Sequence, residues 1–274
     1  MQTLPPIAVL GAGSMAGAIL RGLIAAGTDP ASVTVTTRSE ASAEAWRESG
    51  VTAIARDVAP DANAAAVHGA GIVLLGVKPA MVADTLREVA GDLEPDALVV
   101  SVAAGVTTAT MEALVPNAVV RTMPNTPALV GKAVTGIAAG SRAGEAELAA
   151  VRTLFEAVGA VVEVEEDRID ALSAISGSGP ATFFYLVEQL AATAERLGFA
   201  PDEARALAEQ TFIGSAALLA STGEEPAELR RRVTSPKGTT ERIIAVLDEA
   251  QLADLFERAA HAAIARAKEL AAGG

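Results

Sequence analysis

Gly11-Ala12-Gly13-Ser14-Met15-Ala16 has the spacing G-x-G-x-x-A, between the apolar run Ile7-Ala8-Val9-Leu10 and a helical pattern that continues to Ala26. That arrangement suits a pyrophosphate. Gly11 permits a tight turn, Gly13 lets the backbone approach the phosphates, and Ala16 is small enough for close helix–strand packing. The helix N-terminus adds free N–H groups, to which Ser14 and Met15 belong. A plain strand-to-helix turn would use the same glycines, so the strand before and the helix after carry the reading. The second strand separates one dinucleotide from another. An NAD site places Asp or Glu about twenty residues past the motif, on the ribose 2′-hydroxyl. Here the strand ends Val35-Thr36-Thr37-Arg38-Ser39, with no acid before Glu40. Hydroxyls and a guanidinium suit a 2′-phosphate, unless Arg38 is only a solvated surface residue. NADPH is the expected cofactor, with NADH a weaker alternative.

A second set of residues suits an anionic small molecule. Ser235-Pro236-Lys237-Gly238-Thr239-Thr240 reads as a loop running into a helix, whose N–H groups and hydroxyls form an anion site. Thr240, Ile244 and Leu247 follow i, i+4, i+7, which puts Thr240 on the buried face of that helix. A hydroxyl there needs a partner, although a helix cap is the plain alternative. Asn125, in the Pro-bracketed loop Met123-Pro124-Asn125-Thr126-Pro127, either contacts nicotinamide or substrate or makes an Asx-turn. Lys78 has a place near the nicotinamide ribose or phosphate, or else snorkels at the surface. Ser176-Gly177-Ser178-Gly179-Pro180 either lines a site or merely kinks a helix.

The elements that must position these residues alternate at first. Strands are expected at residues 7–10, 33–36, 72–75, 97–100, 119–120, 134–138 and 161–164, with helices near 79–90 and 145–158. This alternation predicts an α/β Rossmann-type doubly wound parallel sheet covered on both faces. From Asp167 helical periodicity takes over, broken at 176–180, 198–201, 223–226 and 235–238. The expected division is a dinucleotide-binding domain over 1–166 and an all-helical substrate and dimerisation domain over 167–274. No Gly/Ser or Pro linker marks the boundary.

Composition narrows the classes. The chain has 274 residues, 51% hydrophobic and 3% aromatic, so its core is built from aliphatic side chains. A net charge of −13 repels nucleic acid and anionic membranes, and neither is expected as a partner. It repels an anionic cofactor too, so local donors have to overcome the field. With no Cys and only His68 and His261, thiol chemistry is excluded and no metal site is expected. The start, MQTLPP, lacks the pattern of a signal peptide, and no apolar stretch is long enough to span a bilayer. A cytoplasmic protein is expected.

Several short segments, taken together and in order, resemble the pyrroline-5-carboxylate reductase family. Val77-Lys78-Pro79 follows a buried strand, as in the family's A-V-K-P segment, with Gly76 at the alanine position. Asn63 lies fourteen residues before Val77, the family's spacing for an asparagine that contacts the cofactor. Met123 to Pro127 is similar to the family's M-P-N-T-P loop, Ser176 to Ala181 to its S-G-S-G-P-A interruption, and Thr234 to Thr240 to its T-S-P-G-G-T-T signature. Two positions depart from the pattern: Lys237 replaces a usual Gly, Ala or Asn, and Ile243 a usual small residue.

The resemblance implies NADPH-dependent reduction of 1-pyrroline-5-carboxylate to L-proline, by hydride transfer to the C=N carbon. It implies that Thr240 hydrogen-bonds the ring nitrogen as the catalytic contact. Ser235, Lys237, Gly238, Thr239, Asn125 and Ser178 then bind substrate. Gly11 to Met15, Thr37, Arg38, Ser39, Asn63, Gly76, Val77, Lys78, Pro79, Ala103 and Ala104 bind the cofactor. It also implies self-association through the helical domain, with one subunit's substrate loop facing the other's cofactor. A protonated C=N needs no strong general acid, which fits a chain without Cys. Three rivals stand beside this reading. A β-hydroxyacid dehydrogenase would need a lysine on a long helix of the second domain, but Lys78, Lys132, Lys237 and Lys268 all lie outside the helix after Pro180. The others are a related imine reductase with a different ring and a catalytically silent NADPH-binding paralogue.

Overall fold

The computed structural model describes residues 4–271, with side chains to residue 269. Met1, Gln2 and Thr3 of the MQTLPP segment, like residues 272–274, lie outside the described residues. The chain divides into two compact units: the residues up to Ser178 together with those from Ile264, and Gly179–Ala263.

The first unit is an eight-stranded sheet in the order β3-β2-β1-β4-β5-β6-β7-β8. Its strands are β1 (Ile7–Leu10), β2 (Val33–Thr37), β3 (Thr52–Ala55), β4 (Ile72–Leu75), β5 (Leu98–Ser101), β6 (Val119–Met123), β7 (Ala133–Ala139) and β8 (Gly159–Glu163). The helices between them are α1 (Ser14–Ala25), α2 (Glu40–Arg47), α3 (Ala62–Val67), α4 (Val82–Val89), α5 (Thr108–Glu112) and α6 (Glu145–Glu156), and α7 (Ile169–Leu172) follows β8. Side chains alternate across the sheet. Ile7 and Val9 enter one apolar core with Ile19, Leu20 and Phe155, while Ala8 and Leu10 enter another with Leu86 and Met111. Both faces are therefore dry, which is why β1 and β4 read as unbroken apolar runs.

One expectation is corrected. The sheet is not parallel throughout, because β7 pairs antiparallel to β6, Thr122 opposite Ile137, and β8 then runs parallel to β7. The M-P-N-T-P segment makes this reversal: it leaves β6 and forms a 3-10 turn at Thr126–Val130, and the left-handed Gly131 (φ 67°) closes it. An antiparallel return needs only a short connection.

After α7 the chain forms a single π-helical turn, Ser173–Gly177, with Ser178 N–H donating to Ser173 O at 2.9 Å. The second unit consists of α8 (Gly179–Arg196), α9 (Pro201–Thr222), α10 (Pro226–Arg232), α11 (Thr239–Glu249) and α12 (Leu252–Ala271), the last of which runs on into the first unit. Gly and Pro punctuate it where the sequence places them: Pro201 and Pro226 open helices, and the left-handed Gly223 closes one. Helices α8 and α9 pack on each other, with Phe183 edge-on to Phe212 at 5.4 Å. Ala204 and Ala208 are the only buried apolar residues described in this unit, and Phe184, Tyr185, Leu197 and Ile213 are all more than half exposed. Among the described residues no helix is long and apolar enough to cross a membrane.

Candidate active site

Contacts require glycine at Gly11 and Gly76, whereas a Cβ on Gly13 would meet only Gly76 O, at 4.0 Å. Gly11 adopts φ 86°, and a Cβ there would sit 2.9 Å from Val77 Cγ1. A Cβ on Gly76 would collide with the Gly11 carbonyl oxygen and stand 2.6 Å from Ala16 Cβ. The turn is pinned on its other side, where Gly11 N–H donates to Thr36 Oγ1 and Ala12 N–H to Thr36 O, both at 3.0 Å. Helix α1 starts at the N-cap Gly13 with no side-chain cap and no acid in its first turn. Among the described residues no side chain caps its first N–H groups, which leaves them for an anion.

The turn opens onto a cleft of about 520 Å³. Of the residues expected at the cofactor, Gly11, Ala12, Gly13, Thr37, Arg38, Asn63, Gly76, Val77 and Lys78 line it. The others stand outside the lining. Ser14 begins α1, Met15 packs against the core, Ser39 stands at the N-terminus of α2 without a side-chain cap, and Pro79 opens a 3-10 turn. Ala103 is buried behind β5, its N–H donating to Ser101 Oγ at 3.2 Å, and Ala104 is exposed next to it. Sequence reasoning missed Thr36, Ser42, Arg56, Pro60 and Met81, which also line the cleft. Arg56 and Pro60 sit past β3, an Ala-rich strand that carries no strong signal of its own.

The lining contains Arg38, Arg56 and Lys78 and no acid. Arg56 is ion-paired with Glu88 at 3.2 Å, so Arg38 and Lys78 supply most of the local positive field that a chain of net charge −13 needs in order to hold a phosphorylated ligand. Glu40, the first residue of α2, is engaged by Arg47 at 2.6 Å, a hydrogen bond that holds the carboxyl below its ordinary range. Asn63 is 1% exposed, and its Oδ1 has no hydrogen-bond partner among the described residues. An uncapped helix start, three cations and an orphaned buried acceptor together fit a phosphorylated dinucleotide.

Asn125 is a brace in this structure. It is buried, its Nδ2 donates to Ser176 O and its Oδ1 accepts from Val134 N–H, both at 2.9 Å. It therefore joins the β6–β7 loop to the π-turn of the S-G-S-G-P-A segment. Gly177 is packed there against Met123 and Ser173, and Ser178 is exposed at the end of the turn. A network anchors the same stretch further back. Arg121, 6% exposed, donates to Asp170 at 3.1 Å and reaches Glu166 at 3.5 Å. Glu166 accepts from Thr108 N–H at 2.7 Å and Thr108 Oγ1 at 2.6 Å.

The second unit carries the loop 235–240. Gly238 N–H donates to Ser235 O at 2.9 Å, and Lys237 has φ 60°, so Ser235-Pro236-Lys237-Gly238 is a turn of type II character. Such a turn favours Gly at the position Lys237 occupies. Lys237 N–H donates to Glu241 Oε2 at 2.9 Å, and its side chain is exposed. Thr239 and Thr240 are the first residues of α11. Placing Thr240 on a buried face needs correction for the single chain: no residue of α11 is buried, Thr240 and Ile244 are half-buried, and Leu247 is 42% exposed. Ile243 is exposed. The apolar stripe exists, but nothing in one chain covers it fully.

A pyrroline-5-carboxylate reductase of Pseudomonas aeruginosa is 40% identical to this chain over 270 residues, 97% of each protein. The chain belongs to the pyrroline-5-carboxylate reductase family. The family profile for pyrroline-5-carboxylate reductase dimerisation matches residues 166–270, and that for NADP oxidoreductase coenzyme F420-dependent matches residues 6–105. A pyrroline-5-carboxylate reductase from Coxiella burnetii has the same architecture, with a TM-score of 0.91 and 38% identity over 98% of this chain and 99% of that one. The Plasmodium falciparum pyrroline carboxylate reductase solved with NADP bound shares the fold, with a TM-score of 0.81 and 22% identity over 99% of each chain.

Proposed function

We infer that this chain reduces 1-pyrroline-5-carboxylate to L-proline with NADPH. The observation that carries the reading is family likeness over 97% of the chain, so cofactor-binding and substrate-binding segments belong to one recognised enzyme. The proposed division is a dinucleotide-binding domain over 1–166 and a helical domain over 167–274. The helical domain serves self-association through its exposed apolar helices, and the enzyme works in the cytoplasm. NADH is a weaker donor.

NADPH supplies the hydride. The chain's residues do the rest. The N–H groups at Gly11, Ala12, Gly13, Ser14 and Met15 take the pyrophosphate, and Thr37, Arg38 and Ser39 the 2′-phosphate. Asn63, Gly76, Val77, Lys78, Pro79, Ala103 and Ala104 complete the cofactor's surroundings, the last two and Pro79 from just outside the cleft. Ser235, Gly238 and Thr239 hold the substrate carboxylate with hydroxyls and N–H groups, and Lys237 adds a point charge. Thr240 Oγ1 hydrogen-bonds the ring nitrogen. That nitrogen arrives protonated, so hydride addition at the neighbouring carbon leaves a secondary amine and no proton has to come from a protein acid. Asn125 and Ser178 act from the loop and turn that Asn125 ties together.

Lys237 and Ile243 leave ring size as the open competitor. A steady-state comparison of five- and six-membered cyclic imino acids tests it. Higher kcat/KM for pyrroline-5-carboxylate supports the assignment, and higher kcat/KM for the six-membered ring replaces it.

A further inference from the structure

The two ends of the Asn63 amide are treated unequally. Nδ2 donates to Glu88 Oε2 at 3.0 Å, whereas Oδ1 is buried without a partner among the described residues. A carboxylate only accepts hydrogen bonds, so the edge of the amide that faces Glu88 has to be its NH2 edge. The oxygen is left over, and a buried acceptor is ordinarily paired. The same Glu88 oxygen accepts from Arg56 Nη2 at 3.2 Å. Arg56 directly follows β3, and its backbone N–H donates to Thr37 O at 2.9 Å, which stations it beside Arg38 at the β2–β3 end of the cleft. Glu88 itself, on α4, is not part of the lining.

We propose that Glu88 is a positioning residue for the adenosine half of the cofactor: it turns Asn63 so that Oδ1 is the atom offered to a ligand donor, and holds Arg56 as a second guanidinium beside Arg38. This rests on reading the cleft as the NADPH site. The ligand chemistry follows from the two groups. Oδ1 selects a hydroxyl or amino donor, which a nucleoside carries on its ribose and base. Arg56 selects a phosphate or the flat face of a base. Without Glu88 the amide is free to flip and present its NH2 edge, and the guanidinium is free to swing. Each loss of order has to be restored when the ligand binds. Glu88 touches no reacting atom, so the hydride step is left alone.

Calorimetric titration with adenosine 2′,5′-bisphosphate and with NADPH tests this on the full chain. Glu88→Ala is expected to raise both Kd values about 5- to 20-fold, while kcat at saturating NADPH and the KM for the imino acid stay within about two-fold. Glu88→Gln, which keeps an acceptor oxygen for Asn63 but not the charge opposite Arg56, recovers part of the loss. Combined with Asn63→Ala, Glu88→Ala costs less than the sum of the two single losses, because one acts through the other. An unchanged Kd in Glu88→Ala or in Asn63→Ala, or strictly additive losses, overturns the proposal. A wild-type chain that binds neither ligand removes the cofactor reading along with it. Binding that is lost in Arg38→Ala but untouched in Glu88→Ala leaves that reading standing and removes only this one.

Discussion

At the scale of single residues, the proposed function rests its two chemical decisions on Arg38 and Thr240. Arg38 is exposed at the end of β2, in a cleft lining with cations and no acid. In the proposed site its guanidinium distinguishes a 2′-phosphate from a 2′-hydroxyl. Arg38→Ala should weaken NADPH by about 1.5–3 kcal/mol, the worth of a charge-assisted hydrogen bond, and NADH far less. Dissociation constants for both cofactors check this, and equal losses would remove Arg38 from the 2′-phosphate. Thr240 opens α11 half-buried, in a chain that offers no Cys. Thr240→Ala should lower kcat/KM about 10- to 100-fold, one substrate hydrogen bond, with NADPH affinity nearly unchanged. The far larger loss expected for a sole proton donor should not appear, and a wild-type rate would return Thr240 to a helix cap. Lys237 shows the limit of reading residues alone. Its departure from the family pattern was visible, but that it takes up a left-handed backbone (φ 60°) was not.

At the scale of elements, Arg121 on β6 ties Glu166, in the 3-10 turn after β8, and Asp170, in α7, to the sheet. Arg121→Leu would remove the cation from both carboxylates, leaving Glu166 only its bonds from Thr108, and should cost about 3 kcal/mol of unfolding free energy in urea titration. A loss under about 1 kcal/mol would mean that solvent already satisfies them. No sequence signal singled out Arg121, because a charge inside a β-strand becomes informative only when its burial is known. The same holds for direction. Residues 134–138 announced a strand, but whether it ran with or against β6 depended on the path of the loop at Thr126–Val130. Strands β1 and β4 were legible because burial on both faces forces continuous apolar runs. Thr52-Ala53-Ile54-Ala55 and the alanines of α3 were not, since alanine fits helix, strand and core alike. The breaks at Gly198, Pro201, Gly223 and Pro226 were legible because those residues act through their own backbone rather than through neighbours.

At the scale of the whole molecule, two surfaces stand against the average. The cleft is cationic in a strongly acidic chain, and the helices from Gly179 onward leave Phe184, Tyr185, Leu197 and Ile213 open to solvent. An apolar area of that kind on a folded unit marks a surface meant to be covered, in keeping with the dimerisation profile matched over residues 166–270. Phe184, 64% exposed on α8, should be part of that cover. Phe184→Asp is expected to shift the mass measured by light scattering toward the monomer, and an unchanged mass would place the contact on another face. The central claim is that NADPH delivers hydride to the C=N carbon of pyrroline-5-carboxylate. It is tested most directly by incubating the purified chain with that imino acid and NADPH carrying two deuteriums at nicotinamide C4, then locating the label by mass spectrometry. The account predicts proline carrying one deuterium on the ring carbon next to nitrogen that does not bear the carboxylate, in step with NADPH oxidised. Unlabelled proline, or no proline while the cofactor binds normally, would contradict it.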